Sequence, residues 1–283
     1  MWVLDPPETG DQNQMLDTAL TYANGVPVYA LTPHERNALH AVYALYEAML
    51  GQPHPDLLPA SLNGAHPTLQ AAYNQVQKGA RLEGLRDHLL ASTDSCPYCG
   101  FGEPKDLDHY LPRSIYGELA IYSRNLIPSC GPCNNAKRSV VPGAANGFIH
   151  PYFQKLPEKD FLTAEVAFMD HALVVTFRVE PAELDDALAS KLQFQLDRLS
   201  LNDRYAKQIN IFLSGQRHAL LFIHEREPAL TGSYLSNSAA SLAKAFGRND
   251  WRVALLRALA QDAAFCADPA SYVGRRVDDN EPQ

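Results

Sequence analysis

Cys96-Pro97-Tyr98-Cys99 opens the stretch on which the reading of this chain turns. It continues through Asp106-Leu107-Asp108-His109-Tyr110-Leu111-Pro112-Arg113-Ser114 and Ser123-Arg124-Asn125-Leu126-Ile127-Pro128. It closes on Cys130-Gly131-Pro132-Cys133-Asn134-Asn135-Ala136-Lys137-Arg138. Two Cys-x-x-Cys pairs have the spacing of a structural zinc site. Four thiolates, from Cys96, Cys99, Cys130 and Cys133, complete a tetrahedron around Zn²⁺ and leave no open coordination position. Such an ion contributes to folding, and any catalytic metal has to sit elsewhere. Secreted disulfide frameworks belong to much smaller chains, so zinc is the better reading of these pairs. Cys266, the fifth cysteine, stands alone in an apolar helical context and reads as a buried small hydrophobe.

Between the pairs the local signals alternate quickly. Residues 106–114 read as a short strand ending at a turn. Asn125 leads an apolar strand into the second cysteine pair, and Cys133 to Arg138 reads as the first turns of a short helix. An Asp-His dipeptide means little by itself. Its company here, Asn125 and Asn134 beside two cysteine pairs, is more than a plain zinc knuckle requires.

The run Cys-x-x-Cys, Leu-Asp-His-x-x-Pro-Arg-Ser, Asn-Leu-x-Pro-x-Cys-x-x-Cys-Asn-x-x-Lys resembles the HNH endonuclease family in residue type, order and spacing, over residues 91–152. The resemblance implies a ββα-metal, treble-clef-like core: a β-hairpin and then a helix, with zinc pinning the base of the hairpin to the helix. Carried over position by position, His109 resembles the general base that deprotonates the attacking water. Asp108 resembles a ligand of the catalytic divalent ion. Asn125 resembles the central asparagine that holds the loop bearing the histidine. Asn134 occupies the last position, where the namesake motif has histidine. Asp and Asn oxygens are hard ligands that suit Mg²⁺ or Mn²⁺.

Elementary chemistry agrees with that assignment. Phosphodiester hydrolysis needs an activated water, a cation at the scissile phosphate and help for the leaving oxygen. His109 is the nearby side chain with a suitable unperturbed pKa for the first task. Arg113, Lys137 and Arg138 are candidates for phosphate contacts.

Outside this stretch the sequence is mainly helical. A helix is expected from Gln12 to Ala23. Thr32-Pro33-His34-Glu35 is a helix start with a capping box, followed by Leu39, Val42, Tyr43, Tyr46 and Met49 at helical spacing. A third helix is expected from Pro67 to about Leu90. Residues 161–180 alternate around Asp170-His171 and read as a β-hairpin. From Glu183 helices return, with Leu184, Leu188, Leu192 and Leu199 on one face, as are Ile209, Phe212, Leu213 and Leu220; Val253, Leu256, Leu259 and Ala263 follow in the last. The tail from Asp278 to Gln283 is polar and reads as disordered. The expected organisation is α+β: a helical region at 1–90, the cysteine module at 91–152, and a β-hairpin followed by helices at 153–283.

The 283 residues are 46% hydrophobic and 20% charged, which supports a packed core and excludes global disorder. No basic, apolar leader opens the chain and no run is long enough to cross a bilayer, so a cytoplasmic protein without membrane contact is expected. The net charge is −8. Residues 96–140 carry five cations against four carboxylates, a net +1, so the remainder carries −9. A locally basic module in an acidic protein can still grip phosphate. DNA is the favoured substrate by resemblance, and RNA a third reading. The large helical flanks suit a partner protein, such as an ATPase, or a second copy of this chain. The whole resembles bacterial HNH nucleases of anti-phage defence. The competing class is a catalytically silent zinc adaptor whose flanks bind a protein.

Overall fold

The computed structural model describes residues 3–143, 146–169 and 172–273. The fold is α+β, mainly helical with two small two-stranded sheets. The chain divides into two compact units, one ending at Leu156 and the other starting at Pro157.

In the first unit, α1 (Gln12–Ala19) and α2 (Pro33–Ala48) precede α3 (His66–Ala72) and α4 (Glu83–Leu90). Asp11 caps α1 by accepting from the Gln14 amide, and the helix stops at Ala19, short of the expected Ala23. Beyond it the chain turns back on itself, with Tyr22 N donating to Val26 O at 2.7 Å and a bridge between Thr21 and Pro27. At α2 the capping box forms in full: Thr32 Oγ1 accepts from Glu35 N at 3.2 Å, and Glu35 Oε2 accepts from Thr32 N at 2.8 Å. Leu39, Val42, Tyr43 and Tyr46 then lie buried on one face.

The single helix expected from Pro67 to Leu90 is two. A 3₁₀ turn at Tyr73–Val76 tightens the end of α3, and Gly79, at φ 79°, carries the chain through a conformation that side chains resist. The break has a consequence, because it turns the Tyr73 ring toward the cysteine module.

Strands β1 (Asp106–His109) and β2 (Leu126–Ser129) pair antiparallel, Asp106 opposite Ser129 and His109 opposite Leu126. Helix α5 (Gly131–Lys137) follows at once, with Pro132 in its first turn. The first four helices share their compact unit with this hairpin and helix. Tyr43 stacks on Tyr122 with ring centres 4.3 Å apart, and the N-terminal segment is tied down by Leu4 N donating to Pro151 O at 2.8 Å.

The second unit holds the hairpin β3 (Leu162–Met169) and β4 (Ala172–Val179), with Met169 opposite Ala172. The expected turn residues Asp170 and His171 lie outside the described residues, as does the polar tail. Helices α6 (Asp186–Arg198), α7 (Leu201–Arg226), α8 (Thr231–Phe246), α9 (Trp251–Gln261) and α10 (Ala263–Ala267) complete it. Leu188, Leu192 and Leu199 are buried, as are Ile209, Leu213 and Leu220. Asn249 and Asn202 finish the hairpin's backbone hydrogen bonding. Asn249 Oδ1 accepts from Phe161 N and Leu162 N, and Asn202 bonds both the amide and the carbonyl of Phe177. No helix among the described residues is long and apolar enough to cross a membrane.

Candidate functional site

The four cysteine sulfurs gather where the loop before β1 meets the start of α5. All lie within 4.8 Å of one another, and all four residues are buried. The Cys99 and Cys130 sulfurs are 3.8 Å apart. A tetrahedron with zinc–sulfur bonds of about 2.3 Å has edges of about 3.8 Å, so the Cys99–Cys130 pair already stands at the separation that zinc sets. Gly102 lies against this cluster. Its amide donates to Cys99 Sγ at 3.4 Å, and a Cβ there would fall 2.7 Å from Cys130 Sγ. Burial raises the Cys96 thiol, while hydrogen bonds from Cys133 and its neighbours lower that of Cys130. Four sulfurs so close share their protons uneasily, and a metal ion such as zinc can take the place of those protons.

His109 ends β1. Its Nε2 lies 2.9 Å from the Ala120 carbonyl, and the Tyr73 ring packs edge-on against the imidazole with centres 4.3 Å apart. A carbonyl can only accept, so Nε2 carries the proton and Nδ1 keeps a free lone pair when the ring is neutral. Burial, with help from the charges of Arg113 and Lys137, pulls the imidazole pKa down to about 3 against the opposing pull of the Ala120 carbonyl. The side chain is 9% exposed.

Asp108 faces the other side of β1 and is buried. Tyr98 donates to its Oδ2 at 2.8 Å, and the Lys137 ammonium lies 3.2 Å from Oδ1 and 3.0 Å from Oδ2. Lys137 also donates to the His109 carbonyl at 2.7 Å. Burial raises the Asp108 carboxyl pKa, and Lys137 and Tyr98 work against that rise. The structure thus gives Lys137 a place other than the expected phosphate contact. It is 1% exposed and ties α5 to β1 from inside.

Asn125 is buried with every polar atom engaged. Its Oδ1 accepts from Leu111 N at 2.8 Å and Tyr46 Oη at 3.0 Å. Its Nδ2 donates to the carbonyls of Leu111 at 3.1 Å and Leu119 at 3.2 Å. It therefore closes the loop between β1 and β2, the loop that carries the Ala120 carbonyl to His109. Asn134, half-buried on α5, donates from Nδ2 to Asp106 Oδ2 at 3.3 Å. Arg113 stacks over Tyr73, its guanidinium 5.0 Å from the ring centre, and donates weakly to Gln70 O at 3.4 Å. Arg138 is exposed, with φ 51° at the end of α5.

Several neighbours were not singled out by sequence. Tyr46 bonds Asn125 and lies 2.9 Å from His150 Nε2; Tyr73 packs on His109; Tyr98 holds Asp108; Asp106 holds Asn134. Only Asp106 carried a signal. Asp-Leu-Asp on a strand puts two carboxylates on one face. His150 is buried, and its Nδ1 accepts from Tyr152 N at 3.1 Å. Cys266 is half-buried, not fully enclosed, and its thiol donates to Leu259 O at 3.4 Å.

No protein-family model and no solved structure matches this chain. The chain is 39% identical over 72 residues to protein ea31 of Escherichia phage lambda, covering 24% of this chain and 24% of that protein.

Proposed function

We propose that this protein is a metal-dependent endonuclease of the HNH type, with a ββα-metal core at β1, β2 and α5, that hydrolyses phosphodiester bonds in DNA. One observation carries the reading: a neutral imidazole at the end of β1, its proton fixed on Nε2 by the Ala120 carbonyl. A histidine held in that tautomer offers Nδ1 as the acceptor for a proton from water. Its low pKa makes it a weak base in the free protein. A bound phosphate would offset the Arg113 and Lys137 charges that help depress it, and so raise its basicity where it is needed.

Asp108 and Asn134 offer oxygens of the kind a hard divalent cation takes. Both Asp108 oxygens are bonded to the buried Lys137 ammonium, and Oδ2 also to Tyr98, so a cation could be held there only with Lys137 displaced. Mg²⁺ or Mn²⁺ held there would stabilise charge on the scissile phosphate and its leaving oxygen. Asn125 keeps the loop in register for His109, and the exposed Arg138 and half-buried Arg113 are the cations left to meet phosphate. Zinc in the cysteine cage fixes the start of α5 against the loop before β1.

The biological setting proposed is anti-phage defence in the bacterial cytoplasm, with the helical regions docking a partner such as an ATPase or a second copy. Exposed Ile211 and Phe222 on α7, at 67% and 47%, support a docking role.

The test is incubation of purified protein with supercoiled plasmid, with Mg²⁺, with Mn²⁺ and with EDTA, beside His109→Ala. Loss of a general base costs about 10²–10⁴-fold. Equal cleavage by His109→Ala would overturn the assignment. The second reading, a zinc-centred adaptor without catalysis, is favoured by the near-complete burial of Asp108, Lys137 and His109. It predicts no cleavage of plasmid or RNA under any of these conditions.

A further inference from the structure

Helix α7 runs for 26 residues and buries one stripe, formed by Leu201, Tyr205, Ile209, Leu213 and Leu220. The opposite stripe, at steps of three and four residues, is Lys207, Ile211, Ser214, His218, Phe222 and Glu225, and all six are exposed. The rings of His218 and Phe222 lie side by side on it, with centres 6.4 Å apart. Neither Lys207 nor Glu225 forms an ion pair among the described residues. Beside the stripe sits Gly215, where an added Cβ would meet open space. A glycine weakens the middle of a helix, and what it offers in return is close approach by another backbone.

We propose that this stripe is a self-association face, on which the α7 helices of two copies of this chain pair antiparallel about a two-fold axis near Gln216. The stripe is complementary to its own reverse. Lys207 and Glu225 lie equally far from Gln216 along the helix, as do Ser214 and His218, and Ile211 and Phe222 do so to within one residue. Reversed on a second copy, the Lys207 ammonium meets the Glu225 carboxylate at both ends of the seam. Ile211 packs on Phe222 inside those pairs, and the Ser214 hydroxyl reaches the His218 imidazole at the centre. A parallel pair would set lysine against lysine and carboxylate against carboxylate, so the charges select the antiparallel direction. The seam is about 27 Å long, and the same patch serves both copies, as a two-fold contact requires. This rests on the docking role proposed for the helical regions, commits it to a second copy as occupant, and uses none of the nuclease chemistry.

The test is sedimentation equilibrium of the full, zinc-loaded chain at about 0.1 M salt, where exposed charges still act across a contact. The parent should approach twice the mass of its 31.3 kDa chain as its concentration rises to about 100 µM, the range of a small reversible interface. Ile211→Asp should be monomeric with unchanged circular dichroism, since the position is exposed. Lys207→Glu and Glu225→Lys each set like charges face to face at both ends of the seam, and should each weaken association by about tenfold or more. An equimolar mixture of those two variants should associate within about threefold of the parent, because each copy then supplies the charge the other needs. A dimer that survives Ile211→Asp overturns the proposal, and so does a mixture no tighter than its components. A parent that stays monomeric at about 100 µM overturns it as well. Capture from host lysate then separates the two readings: a protein held by the parent and lost with Ile211→Asp leaves the docking role standing with another occupant, and no such protein removes that role too.

Discussion

Replacing Asn125 with alanine should be among the most costly single changes in the first unit. The side chain is fully buried and makes four hydrogen bonds, three of them to backbone groups: Leu111 N, Leu111 O and Leu119 O. Tyr46 would retain His150 as a partner, so its hydroxyl is left out of the count. Three buried backbone groups would lose theirs, at about 1–3 kcal/mol each. The expected destabilisation is then about 3–9 kcal/mol, before any cavity term. Zinc release during a urea titration, followed with a chromogenic chelator, reads this unit separately from the helical unit after it. With a urea slope of about 1–3 kcal/mol per molar, the midpoint should fall by more than about 1 M. Asn134→Ala is the internal control. It removes one 3.3 Å bond at a half-buried site and should cost under about 1 kcal/mol. Equal midpoints for the two variants would refute the idea that Asn125 is the clasp of the loop.

Cys99→Ser should lose the zinc and unfold the unit ending at Leu156, because a structural zinc contributes on the order of 10 kcal/mol to folding; a folded variant without metal by elemental analysis would contradict this. Lys137→Ala leaves Asp108 buried and unpaired, and should cost about 3–5 kcal/mol by the same zinc-release titration. Lys105→Ala, which breaks the exposed pair with Glu103 at 2.8 Å, should cost under about 1 kcal/mol, and a reversed order would overturn the role given to the buried Asp108–Lys137 pair. His150, whose folded pKa burial drives well below its ordinary value, stays neutral in the native state while the unfolded chain takes up a proton. Its contribution is therefore full above about pH 6.5 and is lost as pH falls, by up to about 1.4 kcal/mol per unit. His150→Gln should flatten the slope of stability between pH 6.5 and about 5, and an unchanged slope would refute this.

Much of the cysteine module was legible because its signals are local. Cys-x-x-Cys spacing brings two sulfurs together whatever the rest of the chain does, and a second pair needs only a hairpin to reach the first. Asn125 was read as a loop holder, and its four bonds are those of one. The start of α2 was equally local, since a capping box is written in four consecutive residues. The break at Gly79 was harder to see. Apolar residues on both sides keep a helical rhythm, and the glycine interrupts it without erasing it. Lys137 was misread for a different reason. A lysine at the end of a short helix beside an arginine looks like a surface cation, and its burial depends on Asp108 and Tyr98 arriving from other elements.

The same reasoning explains why the helices before the module looked like independent flanks. Nothing in the sequence around Tyr46 or Tyr73 speaks of chemistry; both lie in apolar patterns that a core would also produce. Yet Tyr46 reaches Asn125 and His150, and Tyr73 lies against His109 and donates to Leu107 O at 3.0 Å. A hairpin of four-residue strands with a seven-residue helix has too little surface to bury its own imidazole and carboxylate. The desolvation that holds His109 neutral is therefore supplied from outside, in part by the Tyr73 ring. The N-terminal helices are, on this account, a wall of the candidate site. A cysteine module cut free of them would keep its zinc cage, but His109 would drift back toward an ordinary imidazole pKa as water reached it.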